Sequence, residues 1–510
     1  MYFITSAQMR TIEKRAVNDL ALPSLLLMEN AAFACVKHLQ EFARAAVVCG
    51  PGNNGGDGFA IARLLHVKGV KVKVAFIGDI QKVKGDALIN LQIAQKLKLI
   101  SEEPLSSILS DADVIIDAIF GTGLKGPLTG EAAQAVLSIS ESPAPAVSID
   151  IPSGVEADTG KVGSVAVRAH TTITFVLPKV GHILFPGTEY TGHLVIEDIS
   201  IPKNMLVPEG PYLEVLENVN DFLPVRPARS NKGTFGRVCV IAGCSDMPGA
   251  AALCCKAAYK AGAGLVHACV VPEVARIIQA SAHEVITSDI KNVKDAISAA
   301  DVIALGPGIG RGPDVVKFVR EILEYCEKPM VIDADGLTAI AAGSLQNIFK
   351  KLKAPCVITP HPGEMAALIG TNIAEVLENL VETAQKFARE YKVVTLLKDA
   401  RTVIAVPPTT APPAAPDPPA VSDFSPGQTF INPTGTPALA KAGSGDVLTG
   451  IIAAFMAQGL EAHMAAAAGA YVHGKAGRIA AEGLSVYSVC AGDVADNLPY
   501  VFTDTTPTFQ

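Results

Sequence analysis

Apolar and polar positions alternate along the first half of the chain in blocks that predict strands and helices in turn. Near-continuous apolar runs, as expected of buried parallel strands, occupy residues 45–50, 70–78, 112–121, 145–152 and 171–178. The segments between them, such as Gly58–Lys68 and Gly85–Leu97, carry apolar residues at helical spacing. This alternation predicts an α/β domain built on a doubly wound parallel sheet.

The second half repeats the alternation with different motifs. Its candidate strands are residues 236–243, 265–272, 301–308, 328–336, 354–360 and 392–399. The apolar stretch Ile451–Val472 contains Glu461 in an Ala-rich helical pattern, so it predicts a buried helix or two rather than a membrane span. Residues 407–428 are rich in Pro and Ala and predict an extended surface loop between two edge strands.

The chain changes character between residues 203 and 230, where Pro, Asn and charged residues are frequent and no long element is indicated. A length of 510 residues suggests two or three domains at about 100–200 residues each. We therefore place one domain at residues 1–213 and a second at residues 214–510.

Composition and charge exclude several classes of protein. Hydrophobic residues make up 49% of the chain and charged residues 18%, which excludes a disordered protein. A net charge of −8, 5% aromatic residues and no Trp argue against a nucleic-acid partner or an anionic membrane surface. The ten cysteines form no C-x-x-C pair and the first residues include no long apolar signal segment, so we expect reduced thiols in a cytoplasmic protein.

Three strand ends of the first half carry glycine or polar residues. The segment GPGNNGGDGF at 50–59 follows a strand and opens a helix, whose N-terminal N–H groups suit a phosphate. Asp117 lies inside an apolar strand, where a carboxylate needs a partner or a cation. Asp150 and Ser153 directly follow the next strand. Either Asp taken alone is equally consistent with a structural and a catalytic carboxylate, but three such ends at one sheet edge predict a site.

The motifs NNGGDG (53–58), DAIFGTGLKGP (117–127) and DIPSGVEADTG (150–160), in this order, resemble the epimerase domain of the NAD(P)H-hydrate repair enzymes, the YjeF N-terminal family. The resemblance spans about residues 1–205 and implies a Rossmann-like three-layer α/β/α fold. It also implies interconversion of the R and S epimers of hydrated NADH and NADPH, here written NAD(P)HX. The residues that it assigns to substrate binding are Asn53, Asn54, Gly55, Gly56, Asp57, Gly121, Thr122, Gly123, Leu124, Lys125, Gly126, Pro127 and Asp150.

By the same resemblance, Asn54, Asp117 and Ser153 hold a potassium ion (K⁺), and Asp150 contacts the nicotinamide end of the substrate as the candidate catalytic acid or base. The residue types fit this chemistry. Proton transfer at a hemiaminal-like carbon needs charge stabilisation, which a carboxylate beside a bound cation supplies. Carboxylate, amide and backbone oxygens are the ligands that a hard cation prefers.

The strongest signal of the second half is GSGD at 443–446, which leads directly into a long apolar helix. Its N–H groups and the helix dipole would form an anion hole for a transferring phosphoryl group, and Asp446 would take a proton from a substrate hydroxyl. This pattern is typical of ribokinase-like kinases.

Residues 398–401 end a strand and indicate either a solvated turn or a phosphate clamp. His361, between two prolines at the predicted active edge, is a further candidate, although a lone His is more often structural.

Together with VIDADGL (331–337), TPHPGE (359–364) and KDART (398–402), this segment resembles the ribokinase-like, ADP-dependent NAD(P)H-hydrate dehydratase domain over about residues 225–495. The resemblance implies phosphorylation of the hydrate by ADP with Mg²⁺, then loss of phosphate to give NAD(P)H and AMP. The residues that it assigns to nucleotide binding are Lys398, Asp399, Ala400, Arg401, Thr402, Gly443, Ser444 and Gly445. Those that it assigns to the hydrated dinucleotide are Ala251, Gly308, His361 and Asp446, with Asp446 as the catalytic base.

Two features depart from the family pattern. Ala442 stands where the family usually has Gly, and residues 407–428 form an insertion beyond the usual short turn. Neither feature removes a group that the mechanism needs.

Three hypotheses of function follow. The first is a bifunctional repair enzyme with NAD(P)HX and ADP as its ligands and, by the resemblance, a homo-oligomeric state. The second is a ribokinase-like kinase for a vitamin-precursor alcohol, which would use ATP and release a stable phosphate ester. The third is a binding module such as the dimerisation unit of RNA-decay scaffolds, which should have lost the carboxylates that Asp117 and Asp150 retain. The sequence leaves open the preference between NADHX and NADPHX, and ADP as the donor rests on the resemblance alone.

Overall fold

The computed structural model of the chain describes residues 1–39, 41–206, 208, 210, 212–220, 222–408 and 427–502. The chain divides into two units, Tyr2–Leu213 and Glu214–Gln510, the second of which includes Met1. Most of the segment predicted to form a Pro-rich surface loop, residues 409–426, lies outside the described residues.

The N-terminal unit alternates strands and helices in the order that the apolar pattern predicts. Its strands are β1 (Tyr2–Phe3), β2 (Arg44–Cys49), β3 (Lys71–Phe76), β4 (Val114–Ala118), β5 (Ala146–Ile149), β6 (Thr171–Phe175) and β7 (His193–Glu197). Its helices are α1 (Ser6–Leu20), α2 (Ser24–Val36), α3 (Asn53–Val67), α4 (Gly85–Lys96), α5 (Leu105–Ser110), α6 (Gly130–Glu141) and α7 (Thr188–Thr191). Short 3₁₀ helices lie at Ile80–Lys82, Val180–His182 and Lys203–Met205.

Six parallel strands form the sheet of this unit, in the order β3-β2-β4-β5-β6-β7. Successive residues of a strand point to opposite faces, so Val47 packs in one core with Phe59 of α3 while Val48 packs in the other with Val136 of α6. Helices therefore cover both faces of the sheet, and the predicted three-layer α/β/α fold is confirmed.

The C-terminal unit contains the remaining strands and helices. Its strands are β8 (Leu213–Glu214, at the boundary), β9 (Arg237–Ile241), β10 (Leu265–Val270), β11 (Ile286–Asp289), β12 (Val302–Leu305), β13 (Met330–Ile332), β14 (Cys356–Ile358), β15 (Val394–Leu397), β16 (Thr402–Ala405) and β17 (Thr429–Asn432). Its helices are α8 (Pro248–Lys260), α9 (Pro272–Ser281), α10 (Val293–Ala299), α11 (Pro313–Tyr325), α12 (Asp335–Ala342), α13 (Pro362–Ile369), α14 (Ile373–Glu378), α15 (Leu380–Tyr391), α16 (Ser444–Ala457), α17 (Ala462–Leu484) and α18 (Ala491–Val501). Short 3₁₀ helices lie at Ile290–Asn292, Gln346–Lys351 and Pro437–Leu439.

In the sheet of this unit the strands follow the order β17-β16-β15-β14-β13-β12-β9-β10-β11. Pairing is parallel from β15 to β11, and the β15–β16 and β16–β17 pairs are antiparallel. The chain order reverses between β9 and β12, and such a reversal opens a crevice at the carboxyl ends of the two strands. The loops after both strands meet there, because the Gly243 N–H donates to the Pro307 carbonyl at 2.8 Å.

The apolar stretch 451–472 falls in α16 and α17, which confirms the prediction of buried helices. Helix α16 packs closely against α8, because a Cβ at Gly450 would lie 2.2 Å from the Cys254 carbonyl oxygen. Neither α17 nor any other helix of the described residues combines the length and the hydropathy of a membrane span.

Candidate functional site

The N-terminal unit contains a cavity of about 670 Å³ at the carboxyl ends of its parallel strands. The loops after β2, β4 and β5 all reach it, as expected for a ligand site on a parallel sheet. The predicted substrate residues that line it are Asn53, Asn54, Asp57, Gly121, Thr122, Gly123, Leu124 and Asp150. The structure thus brings the three predicted motifs to one cavity.

Two further predicted substrate residues, Gly55 and Gly56, are buried in the first turn of α3. A Cβ at Gly55 would lie 1.8 Å from the Gly50 carbonyl oxygen, and a Cβ at Gly56 would lie 2.8 Å from Met28 Cε. Close packing therefore accounts for both glycines, and their contact with substrate stays a prediction.

Lys125, Gly126 and Pro127 continue the loop after β4 beyond the residues that line the cavity. The Gly126 N–H donates to Glu156 Oε1 at 2.9 Å, which ties this part of the loop to the motif that follows β5. Their contact with substrate also stays a prediction.

Asp117, at the end of β4, is fully buried among hydrogen-bond donors. Ser153 Oγ donates to its Oδ1 at 2.5 Å, and the Ser153 N–H and Ser148 Oγ donate to its Oδ2 at 2.9 and 2.8 Å. Burial raises the pKa of Asp117, although these hydrogen bonds oppose the shift. The predicted cation ligands Asp117 and Ser153 are therefore in direct contact.

Asn54, the third predicted cation ligand, lies next to the loop that follows Asp117. Its amide nitrogen and oxygen are both buried without a hydrogen-bond partner in the protein. A Cβ at Gly121 would lie 3.3 Å from Asn54 Cγ, so glycine leaves room for the amide. A buried amide without partners is costly in free energy unless a ligand binds it.

Asp150 contacts a buried lysine at the wall of the same cavity. Lys179 Nζ lies 2.6 Å from Asp150 Oδ1, and the lysine side chain is only 1% exposed. Thr174 Oγ1 donates to the same carboxylate oxygen at 3.0 Å. Burial opposes ionisation of Asp150, but the Lys179 ammonium and these hydrogen bonds lower its pKa below the ordinary value.

His182 bridges the backbone on either side of this ion pair. Its Nδ1 accepts from the Lys179 N–H at 3.0 Å, so the proton sits on Nε2, which donates to the Asp150 carbonyl at 2.9 Å. Burial and the nearby Lys179 ammonium lower the pKa of His182 to about 4, so the ring is neutral near pH 7. Asp150 itself has a φ of 66°, a backbone conformation that non-glycine residues seldom adopt.

Two other carboxyl groups of the cavity wall, those of Asp57 and Glu13, have raised pKa values, in contrast to Asp150. Burial raises the pKa of both, and the nearby Asp150 carboxylate adds to the shift of Asp57. The surroundings of the cavity thus lower the pKa of Asp150 and raise the pKa values of Asp57 and Glu13.

Lys179, His182 and Glu13 were missed by sequence reasoning. Lys179 directly follows the predicted strand 171–178, so a charged residue at that strand end was the available signal. Glu13 lies on α1, which contains none of the predicted motifs, and nothing in the sequence marks it.

Asp446 lies in the first turn of α16, half-buried, in the C-terminal unit. Gly443 caps this helix with a φ of 88°, and a Cβ there would lie 2.6 Å from Leu253 Cδ1, so the position needs glycine. The N-terminal N–H groups of α16 and the carboxyl group of Asp446 thus occupy one helix turn, as the sequence predicts.

Lys398, a predicted nucleotide residue, is held at this turn by Asp333. Lys398 Nζ lies 2.7 Å from Asp333 Oδ1, and Thr449 Oγ1 of α16 donates to Asp333 Oδ2 at 2.8 Å. A Cβ at Gly445 would lie 3.2 Å from Lys398 Nζ, so glycine permits the close approach. Asp333 and Thr449 are therefore additional site residues that link the strand end to the helix.

Burial, together with the neighbouring carboxylate of Asp333, raises the pKa of Asp446 to about 7, with Lys398 opposing the shift. A carboxyl group with this pKa can take up and release a proton near neutral pH. The position of Asp446 and its pKa both suit the predicted base.

Ser444, predicted to bind nucleotide, interacts with a histidine that sequence reasoning missed. Ser444 Oγ lies 3.1 Å from Nε2 of His473 in α17. Burial lowers the pKa of His473 to about 4, so this ring is neutral at physiological pH. His473 fixes the first turn of α16 without adding charge to it.

Residues 398–402 form the turn between β15 and β16. Arg401 NH1 donates to the Pro433 carbonyl at 3.4 Å, and Arg478 NH2 donates to the same oxygen at 2.7 Å. Burial and the neighbouring Arg478 lower the pKa of Arg401. Two guanidinium groups thus approach each other beside the turn, as suits an anionic ligand.

His361, predicted to contact the hydrated dinucleotide, is exposed and caps α13. Its Nδ1 accepts from the Gly363 and Glu364 N–H groups at 3.0 and 3.3 Å, and Glu364 Oε2 accepts from the His361 N–H at 2.8 Å. Capping is therefore the interaction that the structure shows for His361, and substrate contact stays a prediction.

Ala251 and Gly308 lie at the reversal between β9 and β12. The Ala251 side chain is 0% exposed, and a Cβ at Gly308 would lie 2.8 Å from Ala250 Cβ. Both positions therefore allow close packing, and their contact with the dinucleotide stays a prediction.

Within the described part of the chain, no group of three or more His, Cys, Asp or Glu side chains could hold a metal ion. The predicted potassium ligands do not form such a group, because they combine one carboxylate with an amide and a hydroxyl. Mg²⁺ commonly binds one or two carboxylates together with the phosphates of a nucleotide, and this arrangement needs no preformed acidic cluster.

The two units and their sites define a class of protein: a Rossmann-like α/β domain with a buried acid–lysine pair, joined to a ribokinase-like α/β domain with an acid at a helix N-terminus. The family model described as YjeF-related protein N-terminus matches residues 24–181, and that described as NAD(P)H-hydrate dehydratase matches residues 238–500.

The relatives of the chain match nearly its whole length. A protein from Moorella thermoacetica named bifunctional NAD(P)H-hydrate repair enzyme Nnr is 40% identical over 98% of this chain and 96% of its own. A protein of the same name from Thermofilum pendens is 36% identical over 93% of this chain and 91% of its own. The crystal structure of the ADP/ATP-dependent NAD(P)H-hydrate dehydratase from Bacillus subtilis covers 56% of this chain and 96% of its own, at 30% identity and a TM-score of 0.48.

The chain belongs to the family of bifunctional NAD(P)H-hydrate repair enzymes. The resemblance inferred from the motifs and the predicted fold class are thereby confirmed, and so are the prediction of an enzyme and the predicted function of bifunctional NAD(P)H-hydrate repair. The vitamin-precursor kinase and the non-catalytic binding module receive no support.

Proposed function

We propose that residues 1–213 interconvert the R and S epimers of NAD(P)HX and that residues 214–510 dehydrate the S epimer to NAD(P)H with ADP, giving AMP and phosphate. The proposal rests on one observation: each unit has an acidic residue with a shifted pKa at the carboxyl ends of its strands. In the N-terminal unit the pKa of Asp150 is lowered, and in the C-terminal unit the pKa of Asp446 is raised. Displaced pKa values at a strand edge are a common feature of catalytic sites.

In the epimerase cavity, Asp150 is the proton acceptor. Its carboxylate is ionised beside Lys179, and its side chain is only 16% exposed at the wall of the cavity of about 670 Å³. Asn53, Asp57 and the loop at 121–124 also line the cavity, and in this proposal they bind the dinucleotide. Asp57, whose pKa is raised by burial, donates a hydrogen bond when protonated.

Asn54, Asp117 and Ser153 fit a potassium ion. The partnerless amide of Asn54 and the buried carboxylate of Asp117 are hard oxygen donors of the kind that such a cation prefers. The ion would offset the negative charge of Asp117 and stabilise charge that develops on the substrate.

In the dehydratase unit, Asp446 accepts the proton of the substrate hydroxyl while the first turn of α16 and Lys398 bind the phosphates. Residues 398–402, Gly443, Ser444 and Gly445 form the nucleotide site. Mg²⁺ would enter with ADP, because phosphate oxygens supply most of the ligands that it needs.

Purified R-NADHX without nucleotide tests the first half of the proposal, with chromatographic separation of the two epimers as the measurement. We expect conversion to the R/S equilibrium mixture in potassium buffer and a slower conversion in tetramethylammonium buffer. Asn54→Ala should lose most of the difference between the two buffers. A rate that is equal in both buffers for the unmodified protein would contradict the potassium site.

We also propose a cytoplasmic homo-oligomer. All ten cysteines are free thiols, which supports a location in a reducing compartment. The oligomeric state rests on the family resemblance. The net charge of −8 supports the absence of a nucleic-acid or anionic-membrane partner. Light scattering coupled to gel filtration measures the mass of the particle directly.

A further inference from the structure

We propose that Lys179 is the positioning residue of the epimerase cavity: its ammonium group keeps the Asp150 carboxylate ionised and in place, while His182 fixes the backbone turn that presents it. The proposal deepens the proposed epimerase function and rests on it. Nothing in the sequence motifs assigns a role to either residue.

The contacts of Lys179 leave its ammonium group little freedom. The side chain is 1% exposed, and Nζ donates to Thr174 Oγ1 at 2.9 Å and to the Phe175 carbonyl at 3.2 Å. The third neighbour of Nζ is Asp150 Oδ1 at 2.6 Å. An ammonium group has three donors, so these contacts use its full capacity and aim one donor at the carboxylate.

Thr174 completes a closed triangle with the ion pair. Its hydroxyl accepts from Lys179 Nζ and donates to Asp150 Oδ1 at 3.0 Å. One oxygen of Asp150 is therefore held by two donors. A carboxylate fixed in this way is oriented before substrate arrives, and such preorganisation is what a catalytic base requires.

His182 acts on the backbone instead of the carboxylate. Its ring joins the Lys179 N–H to the Asp150 carbonyl, so it links the two members of the ion pair through their main chains. Asp150 has a φ of 66°, which costs a non-glycine residue free energy unless its surroundings hold it. The neutral imidazole supplies one acceptor and one donor, which are the two hydrogen bonds that the bridge needs.

Because of its electrostatic surroundings, Asp150 needs the ammonium group of Lys179 to stay ionised. The titratable side chains that interact with Asp150 are Glu13 of α1, Cys35 of α2, Asp57 of α3, Lys179 and His182. Glu13, Cys35 and Asp57 carry carboxyl and thiol groups, which are neutral or negative at any pH, so none of them supplies a positive charge. Without Lys179, desolvation would raise the pKa of Asp150.

Lys179→Met in the full chain is the decisive variant, and the epimerisation rate of R-NADHX as a function of pH is the readout. An opposite charge at this distance lowers a carboxyl pKa by roughly 1–3 units. The acid limb of the kcat profile should therefore move to higher pH by a similar amount. Lys179→Arg, which keeps the charge, should restore the position of the limb.

Lys14→Met is the matched control, because Lys14 lines the same cavity from α1 but is exposed and outside the Asp150 contacts. Its acid limb should stay where it is in the unmodified protein. His182→Phe should lower kcat by up to about 100-fold at every pH without moving the limb, because misplacement costs rate while Lys179 still holds the charge.

An acid limb that is unchanged in Lys179→Met would overturn the proposal, and so would a limb that Lys179→Arg fails to restore. If Lys179→Met is too unstable for the rate measurement, the thermal unfolding midpoint of the double variant Lys179→Met/Asp150→Asn is compared with that of the single variant. Removing both charges should recover much of the midpoint lost in the single variant, whereas an equally low midpoint would overturn the ion-pair role. If the unmodified protein fails to epimerise R-NADHX, the proposed function fails, and the unfolding comparison still tests the pairing.

Discussion

Asp150 and Asp446 are both carboxyl groups at the active edge of a sheet, yet their surroundings displace their pKa values in opposite directions. Burial acts on both, but at Asp150 the ammonium of Lys179 at 2.6 Å prevails and lowers the pKa. At Asp446, burial and the carboxylate of Asp333 outweigh Lys398 and raise the pKa to about 7. The residue type is the same, and the nearest charges decide which proton transfer each one suits.

Asp446→Ala should abolish dehydration of S-NADHX and leave epimerisation intact, because the proposed base of dehydration lies in the C-terminal unit and the proposed epimerase site in the N-terminal unit. Loss of a general base typically costs about 10²–10⁴-fold in rate. The return of NADH absorbance with ADP measures dehydration, and chromatography of the epimers measures the control reaction. Dehydration at the unmodified rate would exclude Asp446 as the base.

The pH dependence of dehydration follows from the same group. A base must be deprotonated to accept a proton, and the raised pKa means that Asp446 is ionised only above about pH 7. The rate should therefore rise as pH increases through 7, and lose this inflection in Asp446→Asn. A rate that is flat between pH 5 and 8 in the unmodified protein would argue against the shifted pKa.

Asp150→Asn should slow epimerisation by about 10²–10⁴-fold and spare dehydration, because the amide keeps the shape of the side chain but cannot take up a proton. Separation of the epimers over time is the measurement, and dehydration of pure S-NADHX in the same sample is the control. Unchanged epimerisation kinetics would remove Asp150 from the mechanism.

Sequence motifs predicted the acids Asp150 and Asp446 and the cation Lys398, but not Lys179 or Thr449. Asp150 and Asp446 lie in glycine-rich strand or helix ends, which are local signals. Thr449 reaches Asp333 across 116 residues of chain, and such a pair forms only through tertiary packing. Lys179 was a charged residue at a strand end without a motif, so the sequence showed its position but not its role.

Among the strands, apolar runs predicted most of the buried ones and the edge strand β3, but they missed the edge strands β7 and β11. Strands β7 and β11 end the orders of their sheets, and Ile286 of β11 is 53% exposed. An edge strand with one solvated side has no continuous apolar run, so the pattern that marks buried strands is absent. Strands β16 and β17 flank the Pro-rich segment, with Ala405 paired to Thr429, but β16 lies between β15 and β17 and is not the edge strand that the sequence predicted.

Two glycines at the start of α3, Gly52 and Gly55, test how closely this helix packs against the loop that follows β2. Gly55→Ala should lower the free energy of unfolding by at least about 1–3 kcal/mol, because its Cβ would lie 1.8 Å from the Gly50 carbonyl oxygen. Gly52→Ala is the matched control, since its φ is −88° and its Cβ would meet nothing within 4 Å. Thermal or urea unfolding measures both, and an equal effect of the two changes would contradict the close approach.

In the whole molecule, the residues of the two candidate sites form separate sets, each within one unit. The change in composition at residues 203–230 was visible in the sequence, and the structure divides the chain at Leu213 and Glu214. The assignment of one activity to each unit stays a proposal that mutation can test.

Mixing two variants tests that assignment. Asp150→Asn should dehydrate only the S epimer, and Asp446→Ala should only epimerise. With ADP, a mixture of both proteins should convert all of the R-NADHX to NADH, because the S epimer diffuses from one protein to the other. The double variant is the control, and a mixture that leaves R-NADHX unconverted would contradict separate sites.

The most direct test of the whole account uses the unmodified protein with an R and S mixture of hydrated NADH, potassium, magnesium, and ADP, ATP or no nucleotide. The return of NADH absorbance is followed to completion. We expect recovery of both epimers with ADP and no recovery without nucleotide. Recovery with ATP but not with ADP would mean that ATP is the phosphoryl donor. Recovery that stops at the S fraction would contradict the epimerase, and no recovery with either nucleotide would contradict the account as a whole.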